Sequence, residues 1–391
     1  MLNRHKGGSM KELIGKKVKE LRLLYGQTQE ELARALGVSK EFISMIESGK
    51  RLPGLETMAL LGKAFNKDTD FFMREEEGPF AALFRVENLG APERSALDKA
   101  AKFCQDYAFL EKETGQMPSI PPYYPDKPAG GTKSLHSIIE DVEHLAENEW
   151  RRLGLGDEPI KDIFSLIESQ GVHVLRQEMG SVGFDGAFLY SQENGAFIII
   201  NASRPLVRQV FTAAHEYCHC LKHRNRGIQI DRNIHETSMQ SDIPAFERYA
   251  NMFAGAFLMP KKAIERAVKN LNRHIGPEEV IQLKRYFGVS YQAMVWRLVN
   301  LKFIQKARTD ELLQIKPRAL EESLFGETEE SGLPEKMPER YVRIALDAYL
   351  MGKITVSRLA ELLNKDVFEL RKALAESGLK RSRGAVEKHP A

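Results

Sequence analysis

The chain has 391 residues and is 42% hydrophobic, enough for two or three domains of ordinary size, each with its own core. Its 57 basic residues stand against 54 acidic ones, and a net charge of +3 excludes a polycation that coats nucleic acid indiscriminately, so any DNA contact must come from a local patch. Three cysteines exclude a disulfide framework and fit a reducing compartment; with no secretory leader and no apolar run long enough for a bilayer, the expectation is a cytoplasmic protein without a membrane partner.

Residues 1–9 are expected to be disordered and carry no weight in the fold. From Lys11 to Met73 short helices alternate with tight breaks: Ile14, Val18 and Leu21 share a face, Leu32, Ala33 and Leu36 lead to Gly37, and Ile43 and Ile46 lead to Gly49. A helical stretch to about Gly115 follows, then a Pro- and Gly-rich segment over 117–133 that reads as a semi-extended linker. Helical periodicity resumes from Ser134 to Arg152 and from about Lys161 to Ser169; strands are expected at Val172–Arg176, Gly186–Tyr190 and Ala196–Asn201. Two helices, through FTAAHEYCHCLKH and AFERYANMFAGAFLMP, flank a polar loop over 224–242. Beyond Pro260 the pattern is helix and turn, and residues 354–374 repeat the short-helix rhythm of the N-terminus, followed by a basic tail expected to be disordered. The elements predict a mainly α chain with a small three-stranded sheet (α+β): a helical unit over 10–73, a connector and linker over 74–133, a sheet-bearing domain over 134–305, and a C-terminal helical regulatory or interaction domain over 306–391.

His215-Glu216-Tyr217-Cys218-His219 is an H-E-x-x-H motif in an apolar helical context. Residues four apart lie about 40° apart around a helix, so His215 and His219 project toward one ion. Glu216, one step round, is placed to take a proton from an attacking water and deliver it to a leaving amine. A catalytic zinc usually has three protein ligands, and Glu247 is the strongest candidate for the third, on a helix whose Ala250 and Ala254 allow close packing. Asp231, His235 and Glu236 in the intervening loop are its rivals. Asn251, four residues after Glu247, can accept from a ligating imidazole and fix its tautomer. His223 reads as a surface or rim residue, Cys218 and Cys220 as buried small hydrophobes, and the strand AFIIIN as an open edge able to pair a peptide.

RQVFTAAHEYCHCLKH followed by FERYANMFAGAFLMP resembles the ImmA/IrrE metallopeptidases, over roughly residues 134–305. The resemblance implies a zincin-like domain, one Zn2+ per chain on His215, His219 and Glu247 (with Mn2+ as an alternative), and Glu216 as base. The Tyr217-Cys218 pair and Cys220 depart from the family pattern without removing a ligand.

From Ile14 to Phe72, TQEELARALGVSKEFISMIESGKRLPGLETMALLGKAF resembles the XRE-type helix-turn-helix domain. Thr28 and Ser39 are suited to cap successive helices, Gly37 to make the turn and Val38 to fill the core. Lys40, Glu41, Ser44 and Met45 would face base edges, while Gln29, Lys50 and Arg51 would contact phosphates.

The leading expectation is therefore a zinc endopeptidase and transcriptional regulator that cleaves a helix-turn-helix repressor to derepress stress-response or mobile-element genes. Its partners would be double-stranded operator DNA, the repressor and, as a further option, a second copy of the chain. The alternative is a metal-stabilised transcription factor or antitoxin-like regulator whose peptidase fold senses a partner or signal without turnover. Glu216 weighs against a purely structural metal site, where a further carboxylate adds only like-charge cost.

Overall fold

The computed structural model describes residues 10–24, 27–65, 69–73, 91–125, 134–180, 185–226, 229–231, 244–271, 274–326 and 337–377. Residues 1–9, His235, Glu236 and the basic tail from residue 378 lie outside the described residues. The chain divides into two compact units, the first containing the helices between residues 10 and 73 and the second the sheet and the helices from residue 91 onward.

The first unit is built from α1 (Met10–Leu24), α2 (Gln29–Leu36), α3 (Lys40–Glu47), α4 (Leu55–Phe65) and α5 (Thr69–Met73). Thr28 caps α2 in a reciprocal capping box with Glu31, Gly37 takes the left-handed conformation at φ 67°, and Ser39 accepts from Phe42 N–H to open α3. Ile14, Val18, Leu21, Leu32, Ala33, Leu36, Ile43 and Ile46 form the core, with Val38 half-buried against it. Gly15 brings α1 against the backbone of α3: a Cβ there would sit 2.2 Å from the Ile46 carbonyl oxygen. Alanine is intrinsically the better helix residue by about 1 kcal/mol, but backbone cannot yield to a methyl group as a side chain can. Gly15→Ala is therefore expected to destabilise this unit by about 1–3 kcal/mol, read as a lower melting transition of the N-terminal unit in the full chain; an unchanged or raised transition would refute the close packing.

The second unit starts with α6 (Ala91–Thr114), followed by α7 (Leu135–Arg152), α8 (Ile163–Ser169), β1 (Val172–Gln177), β2 (Gly186–Ser191) and β3 (Gly195–Asn201). Next come α9 (Leu206–Cys218), running on as a π-helical turn over His219–His223, a short β4 (Gln229–Asp231), and α10 (Ala245–Leu258). The chain continues through α11 (Lys261–Leu271), α12 (Pro277–Phe287), α13 (Tyr291–Asn300), α14 (Thr309–Leu313), α15 (Pro317–Phe325), α16 (Glu339–Leu350), α17 (Val356–Leu362) and α18 (Val367–Glu376).

The sheet order is β1-β3-β2-β4, with β1 parallel to β3 and the other pairs antiparallel. The three expected strands are joined by β4, a fourth short strand in the stretch read from sequence as polar loop. β3 is buried on both faces, which is why AFIII is a continuous apolar run: Ala196, Ile198 and Ile200 join the core that includes α9, while Phe197 meets Tyr107 of α6. β3 is therefore a central strand, and the expectation that it offers an open edge to a peptide is corrected.

Part of the expected linker is docked. Tyr124 N–H donates to the Leu221 carbonyl at 2.8 Å, the Arg224 guanidinium donates to the Pro121 carbonyl at 2.8 Å, and Gly171 passes so close that a Cβ would lie 2.3 Å from the Ser119 oxygen. Prolines remove backbone donors and leave residues 116–125 without helix, but the carbonyls and tyrosines still find partners on the second unit. Nor does the core end at residue 305, since Leu312 of α14 is buried in it. On the far face of the sheet, buried Glu111 of α6 takes His173 of β1 at 3.2 Å and Arg340 of α16, fastening the C-terminal helices to α6.

Candidate functional site

α9 lies across β2 and β3 and packs along α10, whose Ala250 and Ala254 are fully buried and let the two backbones approach. This brings the predicted ligands together. His215 Nε2 is 3.0 Å from Glu247 Oε2 and 3.0 Å from His219 Nε2, and His219 Nε2 is 3.5 Å from the same carboxylate oxygen. His215 Nδ1 lies 2.8 Å from Asn251 Oδ1; an amide oxygen only accepts, so Nδ1 carries the proton and Nε2 presents a lone pair. Two acceptors, His215 Nε2 and Glu247 Oε2, thus face each other at hydrogen-bond distance, a donor set completed by a cation. Two ligand atoms bound tetrahedrally at about 2.0–2.2 Å would stand about 3.3–3.6 Å apart, so the three atoms need shift only slightly to hold zinc. Burial acts to raise the Glu247 carboxyl; when the imidazole Nε2 atoms carry protons in place of a cation, their hydrogen bonds from His215 and then His219 outweigh it and hold the group well below the usual carboxylate range. Its side chain keeps 14% exposure, whereas both imidazoles are almost wholly buried.

Glu216 is fully buried beside β2. Gly186 makes room for it, because a Cβ at 186 would lie 2.9 Å from Glu216 Oε1 and 2.5 Å from the Thr212 methyl. Sequence alone gave no reason to single out Gly186, since the cause is an approach between a strand and a helix distant in the chain. Asp231, the rival ligand within the described residues, pairs its backbone opposite Gly186 in β4.

His223 differs from expectation: it is 2% exposed, and its Nδ1 lies 2.9 Å from His219 Nδ1. In a continuous α-helix a residue eight past His215 would have rotated off the ligand face. The π-helical turn holds more residues per turn and brings His223 back beneath His219. If His219 presents Nε2 to a metal, its Nδ1–H donates to His223, as His215 donates to Asn251. We therefore expect Asn251→Ala and His223→Leu each to weaken zinc binding about 10- to 100-fold, measured by chelator competition. Unchanged affinity in both would leave them as packing residues.

The departures within the motif are explained by packing. Tyr217 is buried, with its hydroxyl 3.3 Å from Glu149 and within reach of Arg152 at 3.1 Å, both on α7. Cys218 and Cys220 lie in the apolar core, and burial pushes the Cys220 thiol up to about 12. Neither thiol contributes an atom to the His-His-Glu cluster.

In the first unit Lys40, Glu41, Ser44, Lys50 and Arg51 are exposed, and Met45 is half-buried. The Arg51 guanidinium lies 4.7 Å over the Phe42 ring. Gln29 donates its amide to Glu47 at 2.8 Å, and Glu47 also takes a bidentate pair from Arg22, so Gln29 is held in a fixed orientation at the start of α2.

Comparison with known proteins agrees with this division. Residues 18–72 match the helix-turn-helix family model, and residues 167–299 match the IrrE N-terminal-like domain of the M78 peptidases. An uncharacterized HTH-type transcriptional regulator of Archaeoglobus fulgidus is 39% identical over 62 residues, 16% of this chain and 89% of its own. The uncharacterized HTH-type transcriptional regulator YgzD of Bacillus subtilis is 42% identical over 62 residues, 16% of this chain and 94% of its own. The chain belongs to the helix-turn-helix regulators and joins that domain to a metallopeptidase-like IrrE domain. Two solved regulators align along most of its length: Bacillus thuringiensis PlcR in complex with the peptide PapR7 and DNA (10% identity, covering 94% of this chain and 93% of that one) and Streptococcus suis ComR (9%, 94% and 96%). Both have a TM-score of 0.16, too low to carry an argument about this fold. Among the described residues no helix is long and apolar enough to cross a membrane.

Proposed function

We propose that this chain is a DNA-binding transcriptional regulator whose second unit is a zinc-dependent endopeptidase acting on a helix-turn-helix repressor. The observation that carries the reading is the convergence of His215, His219 and, from α10, Glu247, with ligand atoms all within 4.8 Å of one another, beside Glu216 of α9. Zinc bound there would supply Lewis-acid polarisation of a carbonyl and a lowered pKa for water. Asn251 and His223 hold the two imidazoles in the ligating tautomer, and Gly186 leaves space for the Glu216 carboxylate. Glu216 takes the proton of the attacking water and returns it to the leaving amine. In the first unit, α3 enters the major groove and Lys40, Glu41, Ser44 and Met45 meet base edges, while Gln29, Lys50 and Arg51 set the register on phosphates.

Incubating the zinc-loaded chain with helix-turn-helix repressors encoded near its own gene tests the reading by intact-mass spectrometry. Wild type should yield two fragments whose masses sum to the repressor plus one water, and Glu216→Gln should yield none at the same time point. Intact repressor with both proteins, despite tight complex formation, would favour a sensor without turnover.

A further inference from the structure

The C-terminal helices carry a second helix-turn-helix that repeats the spacing and turn bonds of the first, without the reciprocal bond that Glu31 makes to the Thr28 N–H. Thr355 caps α17 as Thr28 caps α2, with Arg358 N–H donating to Thr355 Oγ1 at 3.1 Å and Glu31 N–H to Thr28 Oγ1 at 3.2 Å. Four and five residues beyond the caps stand Leu359 and Ala360, exposed 0% and 3%, matching Leu32 and Ala33 at 0% and 3%. Nine residues beyond, Asn364 takes the left-handed conformation at φ 48° where Gly37 takes it at 67°; asparagine is the residue other than glycine best suited to that region.

The turn hydrogen bonds are also equivalent. Lys365 N–H donates to the Ala360 carbonyl at 2.9 Å as Val38 N–H does to Ala33 at 3.0 Å, and Asn364 N–H donates to Glu361 as Gly37 N–H does to Arg34. Eleven residues after each first cap comes the second: Asp366 accepts from Glu369 N–H as Ser39 accepts from Phe42 N–H. Shared spacing, handedness and turn bonds make α17–α18 a helix-turn-helix of the same local form as α2–α3, with Leu370 half-buried and Ala373 exposed where Ile43 and Ile46 are fully buried. α16 packs on α17 and docks the pair on α6.

We propose that α16–α18 form a second duplex-DNA-binding module, with α18 as the helix that enters the major groove. The positions equivalent to Glu41, Ser44 and Met45 are Phe368, Arg371 and Lys372, while the half-buried Val367 stands where Lys40 is exposed. Phe368 is 74% exposed near the N-terminal end of α18, the end that approaches base edges, where an aromatic ring can cover a thymine methyl. Arg371 and Lys372 are exposed on the same outward side; the ion pair of Lys372 with Glu376, 4.0 Å apart and 79% and 68% exposed, is weak and open to exchange for a phosphate. Val367, Leu370 and Leu374 are half-buried, which leaves Phe368, Arg371 and Lys372, together with Glu369 and Glu376, exposed.

The test uses the full chain and a mixed-sequence duplex several helical turns long, followed by fluorescence anisotropy over a salt series. Arg371→Glu with Lys372→Glu is expected to weaken binding roughly tenfold or more and to lower the slope of log affinity against log salt by about two. Lys40→Glu with Lys50→Glu removes the N-terminal contribution separately, so failure of that domain to bind is distinguishable from failure of this one. Lys261→Glu with Lys262→Glu, equally charged but on α11, should have no effect. A photoreactive phenylalanine analogue at position 368 should crosslink to the duplex, which keeps the proposal testable if charge reversal disturbs folding. Unchanged affinity and slope in the α18 variant, an equal loss in the α11 control, or crosslinking at 368 to protein alone would overturn the proposal.

Discussion

Glu247→Ala is expected to reduce zinc affinity by more than the roughly 10- to 100-fold cost of losing an outer hydrogen-bond partner, because it removes one of three ligands and the only negative one. His215→Ala and His219→Ala should do the same. The carboxylate touches both imidazoles, at 3.0 and 3.5 Å, so its loss also removes the charge that balances a divalent ion in a buried site. Metal content after dialysis, measured by elemental analysis, reads the effect directly. Full zinc retention in Glu247→Ala would move the third ligand elsewhere, to Asp231, His235 or Glu236.

Glu216→Gln should separate binding from chemistry. The amide keeps the size of the side chain and its place beside Gly186 but cannot take a proton, so peptide hydrolysis should fall about 10²- to 10⁴-fold while zinc content stays that of wild type. Gly186→Ala should lower activity in the same direction, because its methyl group displaces the Glu216 carboxylate, again without removing a ligand. Equal loss of metal in Glu216→Gln would place that residue among the ligands. Unchanged hydrolysis would remove it from the proton path.

Much of this arrangement is legible in the sequence because it rests on local periodicity. The caps at Thr28 and Ser39, the turn at Gly37 and the pairing of His215 with His219 follow from spacing along single helices, and the N-terminal core residues sit where helical period places them. Glu247 and Asn251 were readable because both lie one helical turn apart on a helix with buried alanines. What the sequence hid depends on contacts between distant segments or on irregular backbone. His223 is drawn in by a π-helical turn that no residue pattern announces. β3 becomes central because β1 pairs with it in parallel on one side and β2 antiparallel on the other, while β4, from a polar stretch more than 25 residues later, adds to the far side of β2. Residues 116–125 look like tether by composition, yet their backbone and tyrosines find partners on α7, α16, the π-helical turn and Arg224. The C-terminal repeat was visible only as a rhythm, because Asn364 and Asp366 stand where Gly37 and Ser39 stand and sequence identity is lost while the hydrogen bonds persist.

The central claim is that His215, His219 and Glu247 hold a metal beside Glu216, and anomalous scattering at the zinc edge from crystals of the zinc-loaded chain tests it most directly. The account predicts one strong peak per chain, about 2.0–2.2 Å from His215 Nε2, His219 Nε2 and a Glu247 oxygen, with Glu216 outside ligating distance. A peak ligated by Glu216, a peak elsewhere in the chain, or a fully occupied crystal soak without a peak at this cluster would contradict it.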